Sequence, residues 1–133
     1  YNYNLPFRKI WIEKKLLPKK YPNFIIPAIY NHEMFSRLIA CIIRPGIGTI
    51  SEALKYKIKI FCFFENNNTE IFFNSSIIQK LGYGTASVDI NKSFKDSIKY
   101  ASNKKQTNQF RNNLKKIKFD GAIDFYNIIT KKI

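Results

Sequence analysis

Apolar residues fall in short blocks along the chain, and their spacing changes from block to block. Two blocks run almost without interruption, IACII over 39–43 and IKIFCFFE over 58–65, as parallel strands covered on both faces do. Between them TISEALKYK carries Ile50, Ala53 and Leu54 on one face of a helix. A polar NNNT follows, then EIFFNSSIIQKLG, where Ile71, Phe72, Ile78 and Leu81 suit a helix closed by Gly82. TASVDI reads as a weaker strand, and KSFKDSIKYAS, KQTNQFRNNLKKI and GAIDFYNIITKKI as helices. Upstream, NFIIPAI suggests a short buried strand closed by Pro27, and HEMFSRL a short helix. Residues 7–17, with Ile10, Trp11 and Leu17 among charges, suggest a weak helix ended by Pro18. This alternation predicts an α/β fold: a parallel sheet between helices, with right-handed crossovers. Phe61, Phe63, Phe64, Phe72 and Phe73 are expected in its core.

The turn RPGIGT lies where the first apolar strand becomes a helix, the end of an open α/β sheet at which ligands bind. Gly46 and Gly48 would let a ligand approach the backbone without meeting a Cβ. Unbonded N–H groups at the helix start would then face a phosphate, with the Thr49 hydroxyl as a further donor. Glu52, one turn on, could hold two vicinal ribose hydroxyls. A second reading stays open: Thr49-Ile-Ser-Glu52 is also a capping box that only closes the helix. The spacing matches neither G-x-x-x-x-G-K-[ST] nor G-x-G-x-x-G.

At 133 residues the chain suits one domain, 1–133, with a poorly assigned segment over 1–22 and a helical region over 91–133. Its net charge of +14 raises nucleic acid as a partner. Composition argues against that: only Arg8, Arg37, Arg44 and Arg111 of the 23 basic residues are arginine, and abundant Lys, Asn, Ile, Phe and Tyr reflect AT-rich coding drift. Cys41 and Cys62 sit in apolar runs without CxxC spacing, so buried thiols are expected rather than a disulfide or a zinc site. No apolar run reaches the roughly 18 residues of a membrane span. The start, YNYNLPFRK, has no signal-peptide pattern and reads as part of something longer. His32, the sole histidine, is expected in a loop near the ligand mouth, and Arg44 either on a diphosphate or paired with a carboxylate such as Glu65.

RPGIGTISEAL, the strand ending in Glu65, TEIFFNSSIIQKLGYG and FDGAIDFYNII together resemble the donor-binding C-terminal half of GT-B glycosyltransferases. The likeness is to the family 28 group that includes the peptidoglycan lipid-intermediate N-acetylglucosaminyltransferase, and it covers about residues 23–133. It implies a Rossmann-like half-domain, incomplete at its N-terminus, that binds a nucleotide-diphosphate sugar, with UDP the expected nucleotide. Arg44, Pro45, Gly46, Gly48 and Thr49 would face the diphosphate, Glu52 would hold the ribose, and Glu70 and Asn74 would contact the sugar. IPAIYNHEM corresponds to the loop that lines the base. Ile71 stands where glutamine is usual and Lys59 where proline is usual.

The same likeness implies no cofactor or metal beyond the donor itself. The acceptor site and catalytic base would lie on a missing N-terminal domain or a separate partner subunit, so no catalytic residue is assigned and the chain alone is not expected to transfer sugar. A cytoplasmic location is expected, with possible contact of the lysine-rich stretch 103–117 with the inner face of a membrane. Alternative readings are a sugar-nucleotide epimerase or hydrolase of the same architecture, and a basic nucleic-acid-binding module.

Overall fold

The computed structural model describes residues 9–65 and 67–115. They form an α/β arrangement with parallel strands in two small sheets flanked by helices. Strands β1 (Ile10–Ile12) and β2 (Ile25–Pro27) pair in parallel, Ile10 opposite Ile25. Strands β3 (Ala40–Ile43), β4 (Lys59–Phe63) and β5 (Gly84–Ser87) form a second sheet in that order, all parallel. Between the strands lie α1 (His32–Arg37), α2 (Ile47–Lys55) and α3 (Thr69–Lys80), and after them α4 (Ile90–Ala101) and α5 (Lys104–Leu114).

The central strand β4 justifies its unbroken apolar run. Ile60, Phe61 and Cys62 are all buried because both faces of the strand are covered. On one side Phe61 meets Tyr100 of α4 at 5.8 Å, and Tyr100 meets Phe110 of α5 edge-on at 6.1 Å. The opposite side takes Cys62 toward Ser75 of α3, with Ile50, Ala53 and Leu54 of α2 in the same core. Helix α4 packs along all three strands, and the Ser93 hydroxyl donates to the Cys62 carbonyl at 3.2 Å. Half-buried Lys59 lays its ammonium over the Tyr100 ring at 4.8 Å and the Phe110 ring at 5.5 Å.

Gly84 lets β5 approach β4: a Cβ there would sit 1.8 Å from the Ile60 carbonyl oxygen. Gly82, at φ 74°, closes α3 as the pattern predicts. Both cysteines are free thiols. Burial, and secondarily the neighbouring Cys62, push Cys41 up to about 12. Burial pushes Cys62 up to about 11 against a smaller opposing effect of Ser75.

The structure differs from the sequence reading in residues 10–16, at the start of α2 and on α3. Residues 10–16 are not a helix: the isoleucines at 10 and 12 pair into β1, and only Lys14–Leu16 turns, as a 3-10 segment. Helix α2 begins at Ile47 with Gly46 as N-cap, so Thr49 is already the third helical residue and cannot cap. That displacement removes the Thr49–Glu52 capping box. Phe72 and Phe73 are 52% and 62% exposed on α3 rather than in the core, because Ile71, Ser75 and Ile78 take the inward face. The inward side of α5 is Thr107, Phe110 and Leu114, and its outward side is mostly Asn and Gln, with Lys104 and Lys105 at its start. The helix expected over 121–133 lies outside the described residues.

Candidate functional site

Asparagine or aspartate caps four of the five described α-helices. Asn31, Asn68 and Asn103 accept from the backbone N–H three residues on, and Asp89 from that of Asn91, at 2.9 to 3.1 Å. Helix α2 starts on Gly46, which has no side chain to do this. The Gly46 N–H is itself bonded to the Arg44 carbonyl (2.9 Å), and the Ile50 N–H is the first to reach back, to the Gly46 carbonyl (3.0 Å). The amides of Ile47, Gly48 and Thr49 therefore precede the first helical hydrogen bond, and the positive end of the helix dipole lies on them. A Cβ at Gly46 or Gly48 would meet nothing within 4 Å, so neither glycine is required by close packing.

Gly48, Glu52 and Tyr56 recur at four-residue intervals on one side of α2, and with Thr49 they line a cleft of about 420 Å³. Its other wall is Tyr30, Asn31, His32 and Phe35, from the start of α1. The exposed Glu52 thus shares one open cleft with Gly48 and Thr49 of the first turn of α2. His32 Nδ1 and the Tyr56 hydroxyl share a hydrogen bond of 2.8 Å, and Tyr56 stacks on Phe35 with ring centroids 5.4 Å apart. Tyr30 adopts φ 47° and donates its hydroxyl to the Glu13 carboxylate. That bond, with lesser contributions from burial and the carboxylate charge, pushes the phenol up to about 12.

Of the residues singled out from sequence, the cleft gathers His32, Gly48, Thr49 and Glu52, with His32 at the start of α1 rather than in a loop and Gly46 as the adjoining N-cap. Pro45 is buried, and its carbonyl accepts from Asn74 Nδ2 at 2.9 Å. Asn74 thereby braces the turn from the opposite side, where it lines an apolar groove between α2 and α3. Glu70 is exposed in the first turn of α3 and is not among the cleft residues. Arg44 is exposed, and among the described residues the ion pair is Arg37–Glu33 at 3.1 Å, not Arg44–Glu65. No described group of His, Cys, Asp and Glu could hold a metal ion.

No family model, curated protein or solved structure matches the chain. The site is therefore read from its own geometry.

The sequence reading included Tyr30 in the base-lining segment IPAIYNHEM but missed Phe35 and Tyr56 as cleft residues. Tyr56 carried a signal, since it continues the four-residue spacing of Gly48 and Glu52. Phe35 carried none, because nothing local shows that the start of α1 faces α2.

Proposed function

We propose that the chain is the donor-binding half of a GT-B glycosyltransferase and holds a nucleotide-diphosphate sugar, with UDP as the nucleotide, in the cleft at the start of α2. One observation carries the reading: Gly48 and Thr49 in the first turn of α2, a helix whose N-cap offers no side chain, line a cleft that Glu52 lines as well. Phosphate oxygens would complete the hydrogen bonding of the Ile47, Gly48 and Thr49 amides, and an anion is favoured there. Glu52, an acceptor when ionised, suits a pair of ribose hydroxyls. Asn74 holds the turn in shape through the Pro45 carbonyl.

The chemistry that follows is displacement of the nucleoside diphosphate at the anomeric carbon by an acceptor hydroxyl. As that bond breaks, charge grows on the leaving diphosphate, and in this reading the amides at the start of α2 would receive it. The acceptor site and the base that takes the hydroxyl proton belong, in this reading, to a further domain or a partner subunit. Such a donor places the reaction in the cytoplasm. Among the described residues no helix is long and apolar enough to cross a membrane, and contact with a membrane surface would use exposed lysines such as Lys104 and Lys105.

A titration with UDP and with a control oligonucleotide at two salt concentrations tests the reading, repeated with Glu52→Ala. UDP binding is expected to weaken about tenfold in the variant, as loss of hydrogen bonds to a charged group implies, while the fold is kept because Glu52 is exposed. Salt-sensitive oligonucleotide binding with indifference to UDP would instead favour a basic nucleic-acid module, which the +14 charge alone would support.

A further inference from the structure

Helix α3 carries apolar side chains on two of its faces. Ile71, Ser75 and Ile78 go into the core, while Phe73, Ile77 and Leu81, four residues apart, form a ridge at the surface. Beside this ridge, the buried Ile50, Leu54 and Ile78 line a groove of about 250 Å³ between α3 and α2, with Ile47 on its α2 side. Ile47, Phe73 and Leu81 are 68%, 62% and 55% exposed. Such a patch presents several hundred Å² of apolar surface, the upper end of what a monomer leaves in water. The face is also neutral. Helices α2 and α3 each bear one glutamate and one lysine, in a chain of net charge +14. By contrast α4 has three lysines to one aspartate, and α5 three basic residues and no acid.

We infer that this α2–α3 face is the interface of a homodimer, its occupant a second copy of the same chain. The face offers a ridge and a groove side by side, so under a two-fold rotation each copy's ridge enters the other's groove. Its neutrality lets two strongly basic chains meet without setting like charges against each other, and gives an acidic partner or an anionic membrane nothing to pair with. Two helices of nine and twelve residues with their polar rim suffice for the roughly 800 Å² per partner of a stable interface. The chain's own residues after Leu114 are a poorer occupant, because α5 lies on the Phe61 side of the sheet, and α2 and α3 on the Cys62 side. None of the groove residues lines the cleft at the start of α2, so the inference stands apart from the nucleotide reading.

Sedimentation equilibrium of the full chain over a range of concentrations tests this, at low and high salt, with Phe73→Glu, Leu81→Glu and Phe94→Glu beside the wild type. The wild-type mass is expected to climb from 15.7 kDa toward twice that value, with a Kd on the order of micromolar. Added salt should leave the dimer intact or strengthen it, since it screens the repulsion between two basic chains. Phe73→Glu and Leu81→Glu should each weaken association at least about tenfold, because a carboxylate would then be buried against apolar side chains. Phe94→Glu, at an exposed position of α4 outside the face, should associate as the wild type does. Where both are monomeric, Phe73→Glu should melt with the wild type, because Phe73 is mostly exposed within one chain. A monomer at every concentration, a dimer that survives both substitutions on α3, or one that salt dissolves would overturn the inference. A monomeric wild type that loses several degrees of melting temperature in Phe73→Glu would overturn it as well, and would assign the face to the chain's own residues 116–133.

Discussion

Gly46→Asp should make the protein more stable and a poorer binder. Gly46 has φ −76° and ψ 148°, which any L residue adopts and which resembles the extended backbone of the other N-caps. A Cβ there meets nothing within 4 Å. An aspartate could therefore accept from the Gly48 or Thr49 amide, as Asp89 does from Asn91 at 2.9 Å. Aspartate improves on glycine as a cap by a few tenths of a kcal/mol, and its charge at the helix start adds about 0.3–1 kcal/mol. The sum, about 0.5–1 kcal/mol, raises the melting temperature by roughly 2–4 °C. The same carboxylate occupies the amides assigned to the diphosphate and repels its charge. Losing even one hydrogen bond to a charged group weakens UDP by at least about tenfold. Thermal melts and calorimetry on both proteins measure the two effects. A higher melting temperature with unchanged UDP affinity would refute the reasoning, because the amides would then be capped without cost to binding. So would a fall of several degrees, which would trace weaker binding to damage.

Gly84→Ala should fail for a backbone reason: its Cβ would lie 1.8 Å from the Ile60 oxygen and 2.7 Å from the Ile60 carbonyl carbon. Neither can yield without opening the β4–β5 ladder, so a loss of at least about 3 kcal/mol is expected in urea unfolding, and a wild-type midpoint would contradict the close approach. The thiols predict a pH limit. With Cys41 raised to about 12 and Cys62 to about 11 from 9.0, the unfolded chain releases these protons before the folded one does. The stability they contribute is full below about pH 9 and is lost as pH rises toward 11–12. In Cys41→Ala/Cys62→Ala that part of the alkaline decline should be absent from unfolding curves, and an unchanged decline would count against burial as its cause.

The strands and helices between residues 23 and 115 were legible because most carry their own periodicity. The run around Ile60, Phe61 and Cys62 can only be satisfied where both faces are covered, and Gly82 marks the end of α3 by the φ it permits. The start of α2 was harder to read. Thr49 and Glu52 satisfy the local rule for a capping box, yet the amides of Ile47 and Gly48 are already helical, since glycine at an N-cap leaves no side-chain signature. The β1–β2 pairing could not be read locally, because three-residue strands gain their stability from a partner some 15 residues away, Ile10 on Ile25. For the site, the α2 side was legible as spacing along one helix. Its aromatic wall depends on how α1 packs against α2, and on a contact between residues 13 and 30 that neither local pattern announces.

Backbone amide shifts of the 15N-labelled chain on addition of UDP test the central claim most directly. The account predicts that the largest changes fall on Ile47, Gly48 and Thr49, with smaller ones at Glu52 and Tyr30, and saturate together. Changes scattered over the lysine-bearing faces of α4 and α5, or none at the start of α2, would contradict it.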